Sequence, residues 1–169
     1  QDLKGKKVLF INAYHPNYVW SDAEQAGAAS VFKDTGVEFK AIYWDTKNNP
    51  SDEFVKAKAA ETKKLIDDWK PDVVIGADDN PAKHLAVPYL KDSTVPFVFC
   101  GLNWDASVYG FPTKNVTGMV EVALVPQLLK VLEPMAKGKR ISHLGKNNET
   151  DKKEGLFIKK KFVPDLIEV

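Results

Sequence analysis

Four strand-like runs of this chain each end in a polar or aromatic cluster, and helix-period segments separate them. Residues 6–13 (KKVLFINA) lead into Tyr14, His15, Tyr18, Trp20 and Ser21, and residues 37–44 lead into Asp45-Thr46-Lys47-Asn48. Residues 72–77 (DVVIGA) lead into Asp78-Asp79-Asn80, and residues 95–99 (VPFVF) into Cys100-Gly101-Leu102-Asn103-Trp104-Asp105. Strands that alternate with helices pair in parallel, because each parallel neighbour is reached through a crossover that packs on a face of the sheet. The pattern predicts an α/β, doubly wound parallel sheet of strand order 2-1-3-4-5, with the first strand between the second and third. Ligands of such sheets bind beyond the carboxyl ends of the strands, which is where all four clusters converge.

The helices have their own signals. Ser21 with Glu24 three residues on reads as a capping box, followed by a helix rich in small residues that stops at Gly36. The second helix starts near Ser51 and carries Val55, Ala59, Thr62, Ile66 and Trp69 on one stripe until Pro71 ends it. Asn80 as N-cap and Pro81 at the first helical position open the third, which Pro88 is expected to interrupt. A fifth extended segment is expected at residues 116–121. Beyond it come an amphipathic helix with Leu124, Leu128, Val131, Leu132 and Met135, a strand at 140–145, a helix at 152–162 and a strand from Leu166. This divides the chain into a ligand-binding lobe at residues 1–121 and the incomplete start of a second lobe at 122–169.

Bulk properties narrow the function. At 169 residues and 44% hydrophobic the chain can build a core without disulfides or metals, and its single cysteine allows no internal disulfide. No apolar run reaches the roughly 20 residues of a membrane span. An N-terminus at Gln1 with no signal peptide fits a processed, exported chain, so a periplasmic or extracellular location is expected. Net charge is +1, but residues 1–136 carry 15 basic and 18 acidic side chains, whereas residues 137–161 carry nine and three. That basic tail lacks aromatics at stacking spacing, so it reads as a solvated helix face, and no nucleic-acid partner is expected.

The clusters suggest binding more than catalysis. Helix N-termini at Ser21, Ser51 and Asn80 would turn free N–H groups toward one rim, suited to a carboxylate. Asp78 and Asp79 would attract an ammonium or hydroxyl donor, and Tyr14, Tyr18, Trp20 and Trp104 offer flat apolar faces. Each has a plainer reading: the tryptophans can fill the gap between sheet and helix, Asp79 can cap a helix, and His15 can be an ordinary loop residue. Glycine-rich nucleotide loops and the G-x-S-x-G elbow are absent, the three histidines lack metal-ligand spacing, and no cofactor or metal is expected. Asn12-Ala13-Tyr14 stands where a receiver domain needs an acidic pair. The enzyme alternative is a small α/β hydrolase with Cys100, His15 and Asp79 as nucleophile, base and orienter.

The segments INAYHPNYVWSD, WDTKNNPSDEF, WKPDVVIGADDNPAKHL and VPFVFCGLNWD resemble the ABC-transporter substrate-binding family of the type I periplasmic-binding-protein fold. The ADDN and FCGLNWD stretches are the most specific parts, and the resemblance runs from about residue 6 to 121 and more loosely to residue 154. It implies a non-catalytic, two-lobed receptor that closes on a small polar or aromatic solute and delivers it to the membrane permease of an ABC uptake system. Similar domains also form the sensing ectodomains of some histidine kinases. Carried over, the first-lobe pocket comprises Tyr14, His15, Tyr18, Trp20 and Ser21, then Asp78, Asp79 and Asn80, then Gly101, Asn103 and Trp104. The family has two full lobes where this sequence holds one and part of another, which leaves self-association of the chain as an expectation.

Overall fold

The computed structural model describes residues 3–138, 142–146 and 149–162. Two compact units are present, residues 1–120 and 121–169. In the first, five strands form one parallel sheet of order β2-β1-β3-β4-β5: β1 Lys7–Asn12, β2 Glu38–Tyr43, β3 Val73–Ala77, β4 Phe97–Asn103 and β5 Val116–Glu121. The first strand is interior, between β2 and β3, as its apolar run over residues 8–11 requires, because a strand covered on both faces has no solvent side to serve with polar residues. Its register sets Ile11 opposite Ile42 of β2 and Gly76 of β3. Gly76 is needed there: a Cβ would stand 2.4 Å from the Phe97 ring of the next strand and 3.0 Å from Pro81.

The two faces are covered differently. Leu9 and Ile11 of β1, Val74 of β3 and Phe97 and Phe99 of β4 pack with Val55, Ala59 and Ile66 of α2 (Asp52–Trp69). Leu85, Ala86 and Leu90 join them from α3, a helical turn Asp79–Pro81 that continues as Ala82–Leu90. Each fully buried aliphatic of this kind stabilises the fold by about 1.5–3 kcal/mol, which makes this face the main core. The Trp44 side chain is buried in it and donates its indole N–H to Thr62 at 2.9 Å. The opposite face is thinner. Phe10 and Phe39 of the sheet meet Phe32 of α1 (Val19–Phe32), a helix with Ser21 as its one buried residue.

Local expectations were met or corrected in instructive ways. Ser51 does cap α2, accepting from the Phe54 N–H at 3.3 Å. The capping box at Ser21 does not form: α1 begins at Val19 behind Tyr18, so Ser21 is already inside the first turn and buried. Asn80 is likewise inside α3, with Asp78 at the cap position. Pro88 does not break α3. The helix widens to an i→i+5 register, shown by the Lys91 N–H on the Ala86 carbonyl at 2.7 Å, which accommodates a residue without a donor.

In the second unit, α4 (Val125–Leu132) leads into a short 3₁₀ turn Glu133–Met135, and α5 spans Glu149–Lys161. Leu124, Leu128, Val131, Leu132 and Met135 are exposed. Of the strand expected at 140–145, residues 142–145 are described and are not a strand; the strand expected from Leu166 lies outside the described residues. No helix among the described residues is long and apolar enough to cross a membrane.

Candidate functional site

The carboxyl ends of β1 to β4 carry an unusual share of the unit's backbone strain. Of the six non-glycine residues with positive φ among the described residues, four lie just beyond these strand ends: Asn17 (66°), Asp45 (57°), Asp78 (68°) and Trp104 (65°). Such conformations cost on the order of 1–3 kcal/mol each and persist where the surroundings hold them, which is common at ligand sites. Asp78 is the extreme case, with ψ −178°. Its N–H is fixed on the Cys100 carbonyl at 2.9 Å, and its side chain is buried. Gly101 also has positive φ (65°), and a Cβ there would stand 2.7 Å from the Glu24 carboxylate.

All four strand-end clusters touch. The Tyr14 hydroxyl hydrogen-bonds the Asp78 carboxylate, and its own ionisation is pushed far above the usual value by burial first, then by the charges of Asp78 and Asp79. The Tyr14 and Tyr18 rings meet edge to face at 5.3 Å, and His15 stacks edgewise on Tyr18 at 5.4 Å. Lys47, from the β2 cluster, sets its ammonium 4.2 Å from the Tyr14 ring centre and 4.8 Å from that of Tyr18. On the other side of the rim, Asp79 accepts from the Asn103 side chain at 2.6 Å and the Tyr109 hydroxyl at 2.6 Å. Asn80 donates to Thr46 at 2.8 Å, and Thr46 donates in turn to the Ala13 carbonyl at 2.7 Å.

The residues singled out from sequence therefore separate. Tyr14, Tyr18, His15 and Asp78 form one contiguous group. Asp79, Asn80 and Asn103 make hydrogen bonds within the rim: Asp79 accepts from Asn103 and Tyr109, and the Asn80 amide N–H donates to Thr46. Trp104 is buried, whereas Trp20 is 44% exposed on α1. Ser21 is buried with no hydrogen-bond partner for its Oγ among the described residues, and the same holds for Oδ1 of Asn12, whose amide N–H reaches Gln25 at 2.7 Å. Sequence reading assigned no site role to Lys47, Thr46, Glu24, Asn12 or Tyr109. Lys47 and Thr46 lay in one of the four clusters, but no local motif announces which side chain of a turn will cross to a neighbouring strand end.

The hydrolase constellation is not assembled. The His15 Nδ1 lies 2.9 Å from the Pro16 carbonyl oxygen, its ring rests on Tyr18, and it contacts neither Cys100 nor Asp79. Burial, with the Glu24 and Asp78 carboxylates nearby, pushes the Cys100 thiol up to about 12, so it holds its proton at neutral pH and is a poor nucleophile. No group of three or more potential metal ligands occurs among the described residues. Two shallow depressions, of about 390 and 680 Å³, lie at the amino ends of the strands, away from this rim.

No protein-family model matches the sequence, and no curated protein matches it by sequence. Solved structures do match in fold. One is the ligand-free, open form of CD0873, a substrate-binding protein with adhesive properties from Clostridium difficile, with TM-score 0.63 and 14% identity over 94% of this chain and 53% of that one. Another is an ABC domain from Streptococcus pneumoniae in complex with L-Trp, with TM-score 0.62 and 20% identity over 95% of this chain and 54% of that one. The chain thus spans about half the length of the structures it resembles. At these identities the likeness is one of fold: an α/β unit with a five-stranded parallel sheet of order 2-1-3-4-5.

Proposed function

We propose that the first unit is the solute-binding lobe of an extracytoplasmic receptor serving an ABC-type uptake system, and that it holds a small polar or aromatic solute against the carboxyl ends of β1, β3 and β4. The observation that carries this reading is the contiguous group of Tyr14, Tyr18 and Asp78 at the strained strand ends of a sheet whose structural relatives are substrate-binding proteins. Aromatic faces beside a buried carboxylate suit a solute with an apolar body and a polar end. The L-Trp complex among the structural relatives is in keeping with such a solute. Asp79, Asn80 and Asn103 support the site by holding the strand ends in place.

A thermal-shift panel of amino acids, aromatic acids, amines and sugars tests the reading on the intact chain. A solute of millimolar affinity present at ten times its dissociation constant adds about 1.4 kcal/mol of stability, a visible rise in melting temperature. The expected result is such a rise with at least one class of solute, reduced by Tyr14→Leu. A panel in which nothing stabilises the chain, or in which Tyr14→Leu leaves every shift intact, contradicts it.

A further inference from the structure

We propose that the faces of Tyr14 and Tyr18 receive the cationic head of an organic ammonium ligand, and that Lys47 occupies this place in the ligand-free chain. The inference rests on the solute-binding reading and names the ligand class for it. Lys47 is exposed, yet its ammonium lies within cation–π reach of two rings at once, 4.2 and 4.8 Å from their centres. It makes no ion pair among the described residues, so the two aromatic faces are the partners that engage its charge.

Both walls are braced. Tyr14 is tied through its hydroxyl to Asp78, and Tyr18 is flanked by the His15 ring as well as by Tyr14. The turn that delivers Lys47 is also pinned: the Asp45 N–H bonds the Tyr14 carbonyl at 3.1 Å and the Thr46 N–H bonds the Ala13 carbonyl at 3.0 Å. Asn48 and Asn49 both donate to the Asp45 carboxylate, at 2.7 and 3.0 Å. The lysine stem alone has freedom to leave, through side-chain rotation, without any change in the backbone.

The field around the corner favours a cation. The carboxylates of Asp78 and Asp79 both act on Tyr14, and the π faces add their own negative potential. A primary ammonium is strongly hydrated and holds its water, whereas a substituted or quaternary ammonium sheds water at less cost. Such a head displaces Lys47 into solvent, where the lysine regains full hydration. The lysine is thus a built-in competitor that sets a threshold on affinity and rejects weakly cationic or neutral solutes.

Choline is the probe, compared with its uncharged carbon isostere in which a tert-butyl group replaces trimethylammonium. Calorimetric titration of the full chain should show choline binding more tightly than the isostere by about two- to thirty-fold, the range of a single cation–π contact. Lys47→Ala should tighten choline binding by a similar factor. Tyr18→Leu should abolish the preference for choline, and Tyr18→Phe, which keeps the ring and the fold, should retain it. Equal binding of the two probes, choline affinity unchanged or weakened by Lys47→Ala, or loss of the preference in Tyr18→Phe would each overturn the proposal. A chain that binds another panel solute with no response to Lys47 or Tyr18 substitutions refutes the cationic site while leaving the solute-binding reading in place. A chain that binds nothing refutes both.

Discussion

The two halves of the rim are built from similar residues and put them to opposite use. On one side Asp79, Asn80 and Asn103 spend their polar atoms on Tyr109, Thr46 and one another, tying β3, β4 and the β2 turn together. On the other, the Tyr14 hydroxyl is engaged by Asp78, and the ring faces of Tyr14 and Tyr18 meet a movable lysine. Adjacent residues fall on different sides: Asp79 accepts from Asn103 and Tyr109, and Asp78, one position earlier, bonds the Tyr14 hydroxyl. Neighbouring polar residues at a strand end thus meet quite different partners.

That division can be broken most forcefully at Asp79. Asp79→Ala removes a carboxylate that accepts from two side chains, and hydrogen bonds to a charged acceptor are worth about 1.5–3 kcal/mol each. A loss of roughly 2–4 kcal/mol in urea denaturation is expected, with solute affinity of the folded protein little changed. Unchanged stability with lost affinity would reverse the assignment of the two halves. Next in size is Gly101→Ala. It forces a Cβ into left-handed backbone at a cost of about 1–2 kcal/mol, and it crowds the Glu24 carboxylate beside Asp78, so both stability and solute affinity should fall. An affinity that survives would move the ligand away from Asp78.

Asn80→Ala sharpens the comparison further, since it deletes one neutral bond to Thr46 and should cost about 1 kcal/mol without altering affinity. Affinity lost in Asn80→Ala would return this amide to the ligand. The last effect concerns pH. Cys100 keeps its proton up to about 12 in the folded chain, against an ordinary value of 9.0 when unfolded. Between those values the unfolded chain binds fewer protons, so stability must fall as pH rises through this window and be indifferent to Cys100 below it. The raised ionisation of Tyr14 acts in the same direction. Cys100→Ala should flatten the alkaline limb of a stability–pH curve, and an unaltered limb would mean the thiol is not held in its neutral form.

Much of the fold was legible in the chain because its signals are local. The apolar Val8–Ile11 run of β1 had to lie inside the sheet, and the Val55-Ala59-Thr62-Ile66 stripe had to face it. The convergence of the strand-end clusters was legible, but not which polar groups would pair with which. Asp79 and Asn80 find their partners 24 to 34 residues away, and no spacing rule reports which distant hydroxyl or amide will arrive. Ser21 and Glu24 show the reverse failure. Their spacing matches a capping box, but an earlier helix start buries Ser21 and brings the Glu24 carboxylate against Gly101. Tertiary position overrode a motif that is sound in isolation.

The central claim is that solute meets this chain at the carboxyl ends of the strands, on the tyrosine side. An amide-resolved NMR titration with the panel solute that raises the melting temperature most tests it directly. Perturbations should concentrate at Tyr14, Tyr18, Lys47, Asp78 and Gly101, with Lys7, Val73 and Phe97 at the amino ends of the strands unmoved. Perturbations centred instead on those amino ends, or confined to residues 121–162, would contradict the account.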